Sequence, residues 1–101
     1  MDFIAIFFAG ALLCNAIPHL VAGLQGAPFQ TPFAKPPGVG LTSPLVNVLW
    51  GLLNFVAGAL LLSRFPVEIG LTVRFAILVA GAAAIGSYLA LHFGRVRGGG
   101  D

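Results

Sequence analysis

Three long apolar runs divide the chain, and charged residues mark their ends. The charges leave three intervals free, at 3–34, 36–63 and 75–94. Each interval contains an apolar run close to the roughly 20 residues that a helix needs to cross a bilayer. We therefore predict an all-α integral membrane protein with three transmembrane helices in a single membrane domain, residues 1–101. The predicted helices span 3–24, 45–62 and 75–93, with a turn at 63–74 and a tail at 94–101.

The segment between the first two predicted helices, residues 25–44, is rich in proline and glycine. Prolines at positions 28, 32, 36 and 37 leave no uninterrupted stretch for a helix. Phe29, Phe33 and Leu41 make it too apolar for an ordinary water-exposed linker. Loops of this length are uncommon and often functional. We expect a structured loop that folds back over the helix ends; the alternative is a rigid connector. Ser43 and Pro44 are typical of a helix start.

Composition agrees with a membrane protein. Hydrophobic residues make up 58% of the chain and charged residues only 8%, whereas a soluble domain carries about a quarter charged residues. The formal charge of +2 comes mainly from basic residues at the ends of the apolar runs, where positive charge orients membrane proteins. We therefore expect the lipid bilayer, and no nucleic acid, as a partner. Cys14 is the only cysteine in the sequence, so an internal disulfide is excluded.

Small residues recur at helical spacing in the second and third helices. Membrane helices associate through small residues and through polar contacts, because lipid is as apolar as leucine. In helix two, an asparagine–glycine stripe runs along one face, with the spacing i, i+4, i+7 and i+11 from Asn47. The predicted helix-packing residues are Gly51, Asn54, Gly58, Gly81, Ala82, Ala84 and Gly86.

Polar residues from all three helices are predicted at one side of the membrane. The first and third helices run in the same direction and the second runs against them. The end of helix one, the start of helix two and the end of helix three therefore meet beside the Pro-rich loop. Polar groups within a membrane are costly and often mark function. The predicted ligand pocket consists of Asn15, His19, Gln25, Gln30, Lys35, Asn47, Trp50, Tyr88 and His92.

The chemistry of this pocket favours binding over catalysis. The sequence has no GxSxG, no HExxH and no paired carboxylates, so we predict no catalytic residues. His19 and His92 raise the alternative of a haem-binding membrane protein, since imidazole is an axial haem ligand. No carboxylate lies near either histidine in sequence to orient its ring. We therefore predict no metal site and no cofactor.

The segment PFAKPPGVGLTSPLVNVLWGLLN, residues 32–54, resembles small bacterial inner-membrane proteins of uncharacterised function, with a Pro-rich loop between the first two helices. The resemblance implies a multi-pass protein of the bacterial inner membrane and no particular activity. The sequence favours a structural, accessory or lipid-like-ligand-binding module that forms a homo-oligomer or joins a larger membrane complex. The alternative is a homo-oligomeric channel or transporter subunit, with a pore lined by Asn47, Gly51, Asn54 and Gly58.

Overall fold

The computed structural model describes residues 2–98, which form three long helices and one short pair of strands. The helices are α1 (Asp2–Leu24), α2 (Pro44–Arg64) and α3 (Val73–Gly98), and the strands are β1 (Phe29–Gln30) and β2 (Leu41–Thr42). All three helices are long and apolar enough to cross a membrane. The predicted all-helical architecture with three helices of spanning length is confirmed.

The central helix of the bundle is α1. It packs against both α2 and α3, whereas α2 and α3 make few contacts with each other. Ala9 and Ala16 are buried in these contacts, because short side chains let helix backbones approach closely. The two outer helices are therefore held together through α1.

The asparagine–glycine stripe of α2 is its interface with α1. Its members, Asn47, Gly51, Asn54 and Gly58, are the buried residues of the helix. A Cβ atom added to Gly51 would lie 2.8 Å from Leu20 Cγ, so the two helices are in close contact there. The stripe is not available to line a pore between copies of the chain while α1 and α2 remain packed together.

The backbones of α1 and α3 touch where Gly10 meets Gly81. A Cβ atom on Gly81 would overlap the carbonyl oxygen of Phe7. A Cβ atom on Gly10 would overlap the carbonyl oxygen of Leu78. Both glycines are buried. Glycine is required at this crossing because no side chain fits between the two backbones.

The other predicted packing residues of α3 differ in position. Gly86 lies on the seam with α1, where an added Cβ atom would be 3.4 Å from Cys14 Sγ. The backbone nitrogen of Ala82 also lies on this seam, next to Gly10. Ala84 is exposed instead. It lies about 120° around the helix from Leu78 at 3.6 residues per turn, so it faces away from α1.

The first helix ends in a backbone motif that needs glycine. Gly26 has a φ angle of +73°, which residues with a Cβ atom rarely adopt. The amide of Gly26 donates to the carbonyl of Gly23 at 3.0 Å, and the amide of Ala27 donates to that of Ala22 at 2.9 Å. These are the two bonds of a Schellman motif, which turns the chain into the loop.

Replacing Gly26 with alanine should lower the free energy of unfolding by about 1 kcal/mol, because alanine is strained at positive φ. Gly70→Ala is a matched control, since an added Cβ atom meets open space there and no positive φ is required. Unfolding titrations in mixed micelles measure both variants. Equal stability of the two would contradict this account of the α1 terminus.

The third helix extends beyond its predicted end at residue 93. It continues to Gly98 because its last turns contact the loop. The guanidinium carbon of Arg97 lies 4.8 Å from the centroid of the Phe29 ring, a cation–π geometry. Arg97 Nη2 also lies 3.5 Å from Gln30 Oε1. Residues 94–98, predicted as tail, are therefore helical, and 99–101 lie outside the described residues.

Candidate ligand-binding site

Residues 25–43 fold into a cap over one end of the bundle. In the antiparallel pair β1–β2, Phe29 is opposite Thr42 and Gln30 is opposite Leu41. Thr31, which is fully buried, lies with its Oγ1 2.6 Å from Thr42 Oγ1. Its carbonyl oxygen accepts hydrogen bonds from backbone amides further along the loop. The Pro-rich loop is thus a folded element rather than a bare connection between two helices.

The side chain of Asn47 joins the cap to two helices. Its Nδ2 lies within 3.2 Å of three backbone carbonyl oxygens, those of Phe29, Thr42 and Ser43. Its Oδ1 lies 2.8 Å from His19 Nδ1. Asn47 is 0% exposed and His19 is 2% exposed. Because carbonyl oxygens only accept hydrogen bonds, the amide nitrogen must face the cap, and the oxygen must therefore face His19.

The Asn47 side chain also fixes the tautomer of His19. An amide oxygen only accepts, so His19 Nδ1 carries the hydrogen and donates it, and Nε2 of the neutral ring keeps a lone pair. Among the described residues, Nε2 of His19 has no hydrogen-bond partner. Protein atoms do not enclose Nε2 fully, whereas Nε1 of Trp50, which is also unpaired, is completely buried. The ring packs edge-to-face on Phe29 and Trp50, with centroid distances of 5.4 and 6.4 Å. His19 therefore retains an unused hydrogen-bond acceptor.

A second amide pair links the two helices one turn further along α1 and two turns further along α2. Asn54 Nδ2 donates to the carbonyl of Trp50 at 2.9 Å, which turns its Oδ1 towards Asn15. Asn15 Nδ2 donates to that oxygen at 3.0 Å. The Oδ1 atom of Asn15 is consequently left as an acceptor without a partner in the described part of the chain.

The third helix is tied to the cap by His92. Its Nε2 lies 2.7 Å from the carbonyl oxygen of Gly38, so Nε2 carries the hydrogen and Nδ1 keeps a lone pair in the neutral ring. The ring stacks on Tyr88, with a centroid distance of 5.7 Å and an interplanar angle of 9°. This bond closes the cap on the α3 side as Asn47 closes it on the α2 side.

A cavity of about 150 Å³ lies between the cap, α1 and α3. It is not sealed, and its wall is apolar apart from a few polar groups. Five of the nine predicted pocket residues line it. The complete lining consists of Asn15, His19, Gln30, Thr31, Pro32, Gly38, Ile85, Tyr88, Leu89, His92 and Phe93.

Four predicted pocket residues lie elsewhere. Asn47 and Trp50 are behind His19, where they hold its ring. Gln25 and Lys35 are exposed at the surface. Gln25 follows the last turn of α1, and Lys35 lies in the bend of the cap. Closeness in sequence to the pocket does not determine which way a loop side chain points.

The predicted pocket does not include the apolar wall, although the sequence carries part of its signal. Ile85, Leu89 and His92 follow one another at i, i+4 and i+7, which places them on one face of α3. Thr31 and Gly38 carry no such signal, because the fold of the cap decides their position. No cluster of three His, Cys, Asp or Glu side chains that could hold a metal occurs within residues 2–98.

Comparisons with protein-family models, with curated proteins and with solved structures find no match for the chain. Its function must therefore be inferred from the chemistry of the cavity and from the helices that surround it.

Proposed function

We propose that this protein is a multi-pass membrane module that holds a small lipid-like molecule, with the polar head of that molecule in the cavity beneath the cap. The observation that carries the proposal is the unused hydrogen-bonding capacity of His19, a residue only 2% exposed. A buried polar group without a partner costs free energy. Within a membrane such groups often mark a binding site.

The size of the cavity limits the head of the ligand. A volume of about 150 Å³ is comparable to an engineered cavity that binds benzene. The head therefore has roughly the size of one six-membered ring. A larger lipid head, such as a sugar chain, does not fit beneath the cap.

An apolar surface of α1 beside α3 offers a path for an apolar tail. Phe8 and Ile4 lie on the same face of α1 as Asn15, at helical spacing. They are 54% and 59% exposed, although they are large and apolar. A hydrocarbon chain attached to a head near Asn15 would contact this surface, which otherwise faces lipid. This arrangement fits an amphipathic ligand better than a small water-soluble one.

We further propose that the protein resides in the bacterial inner membrane, as the resemblance of residues 32–54 implies, and forms a homo-oligomer or joins a larger membrane complex. Exposed small residues on α3, Ala80 and Ala83, support this proposal, since small residues favour helix association in lipid. The channel alternative loses its proposed lining, because the stripe from Asn47 to Gly58 packs against α1.

The test fills the cavity without removing a hydrogen bond. Ile85 lines the cavity, so Ile85→Trp should reduce the amount of lipid-like molecule that co-purifies in mild detergent about tenfold, as expected for a loss of about 1.4 kcal/mol in binding. Mass spectrometry of extracts measures the retained molecule per protein chain.

The matched control is Leu91→Trp, because Leu91 is on the same helix and 56% exposed. It should retain the same amount as the unmodified protein. Finding no stoichiometric molecule in the unmodified protein, or equal retention in both tryptophan variants, would overturn the proposed function.

A further inference from the structure

We infer that the head of the ligand is a neutral, hydroxyl-bearing aromatic ring of the phenol or hydroquinone class, and that its hydroxyl hydrogens are bound by Asn15 and His19. This inference rests on the proposed function and deepens it. It follows from the orientation of the amide and imidazole groups around the cavity.

Three acceptor atoms of the lining residues have no hydrogen-bond partner in the described part of the chain. The bond to Asn47 leaves Nε2 of His19 with a lone pair, and the bond to Asn54 leaves Oδ1 of Asn15. The bond to Gly38 likewise leaves Nδ1 of His92 with a lone pair. The ring hydrogens of His19 and His92 and one of the two amide hydrogens of Asn15 are already bonded to oxygens that only accept. A ligand that satisfies this wall must therefore bring hydrogen-bond donors of its own.

Gln30 supplies the complementary donor. Its Oε1 accepts from Arg97 Nη2 at 3.5 Å, which leaves the two hydrogens of Nε2. Gln30 is 6% exposed and lines the cavity. A hydroxyl group donates one hydrogen bond and accepts others. It therefore matches both the acceptors of the helices and the donor of the cap, whereas a ketone or an ether only accepts and leaves the acceptors of the helices unpaired.

Charge excludes the other classes of ligand. An anion would face the lone pairs of His19 and Asn15. A cation or metal ion would find no carboxylate among the lining residues, and the guanidinium of Arg97 is already held next to Gln30. A buried charge without a partner of opposite charge is strongly unfavourable. The head is therefore neutral.

The shape of the wall favours a flat ring. Phe93 and the stacked pair Tyr88–His92 line the cavity with aromatic faces. Ile85 and Leu89 complete the wall with apolar surface. Aromatic rings pack on such walls in offset or edge-to-face arrangements with a further gain beyond apolar burial. A flexible polyol head of the same volume would leave this surface without a matching partner.

The experiment compares two probes that differ only by methylation of their two hydroxyl groups, on the unmodified protein in lipid nanodiscs. One probe is an alkyl hydroquinone under reducing conditions, and the other is its dimethyl ether, which lacks both hydroxyl hydrogens. The hydroquinone should bind about 30-fold more tightly, because the ether leaves buried acceptors unpaired. Isothermal titration calorimetry measures both. Equal affinities, or tighter binding of the ether, would overturn the inference, and this comparison does not depend on the folding of a variant.

Three further measurements separate the sources of failure. The Ile85→Trp variant should bind neither probe, and Asn15→Leu should reduce the ratio of the two affinities about tenfold, as one lost hydrogen bond predicts. Saturable binding of Zn²⁺ that excludes the hydroquinone would overturn the inference in favour of a metal site. If a co-purified lipid is lost in Ile85→Trp while the two probes bind equally, the proposed function stands and only the hydroxyl assignment fails.

Discussion

Replacing Asn47 with leucine is expected to lower the free energy of unfolding by about 3–4 kcal/mol and to release the cap from the bundle. Leucine has the same number and branching of side-chain heavy atoms as asparagine and is somewhat larger, so the change removes polarity without opening a cavity. It leaves the carbonyls of Phe29 and Thr42 and the ring N–H of His19 without their partner. Each buried polar group that loses its partner costs about 1–3 kcal/mol.

Hydrogen–deuterium exchange shows which part of the protein loses stability in Asn47→Leu. The amide of Gly38, bonded to the carbonyl of Thr31 at 2.8 Å, should exchange faster in Asn47→Leu, while amides in the middle of α2 keep their protection. Leu49→Ala is the matched control, because Leu49 is two residues away and 57% exposed. The role assigned to Asn47 would be contradicted if Asn47→Leu lost no more stability than this control and if hydrogen exchange in the cap were unchanged.

A valine at position 81 is expected to separate α1 from α3 and to lower the free energy of unfolding by about 3 kcal/mol, the upper range for overpacking a tight site. Even the first added carbon would overlap the carbonyl oxygen of Phe7. A backbone atom cannot move aside as a flexible side chain can. The whole helix must therefore shift, and ligand retention should fall with stability, because α3 carries a large part of the cavity wall.

The control for Gly81→Val is Ala84→Val, which introduces the same residue one turn away on the exposed side of α3. Thermal unfolding in detergent and the amount of retained ligand are measured for both. Ala84→Val should resemble the unmodified protein in both measurements. If the two valine variants were equally stable, α1 and α3 would not be in backbone contact at Gly81.

The spans of the three helices could be predicted from the sequence because charge is costly in lipid. The helix ends were less predictable, as α3 shows. Arg95 and Arg97 looked like a polar tail, but Arg97 packs on the Phe29 ring. That contact joins positions far apart in the chain, and hydropathy along the chain does not contain it.

The helical part of the candidate site could be predicted from the sequence, whereas the part formed by the cap could not. The antiparallel course of successive helices brings Asn15, His19 and His92 to one end of the bundle, which topology alone indicates. The direction of loop side chains depends on the fold of the cap, so Gln25 and Lys35 were placed in the pocket although they are exposed. Ala84 was predicted to pack against another helix, but it is exposed within this chain. A stripe of small residues does not indicate which neighbouring helix it faces.

The central position of α1 has a consequence for how the protein assembles during synthesis. The helix that both others contact is the first of the three in the chain, so it is synthesised before either of its partners. The Asn47–His19 and Asn54–Asn15 bonds connect only α1 and α2, and they can form before α3 is inserted. Since α3 contributes Tyr88 and His92 to the cavity wall, the cavity is complete only when the last helix docks.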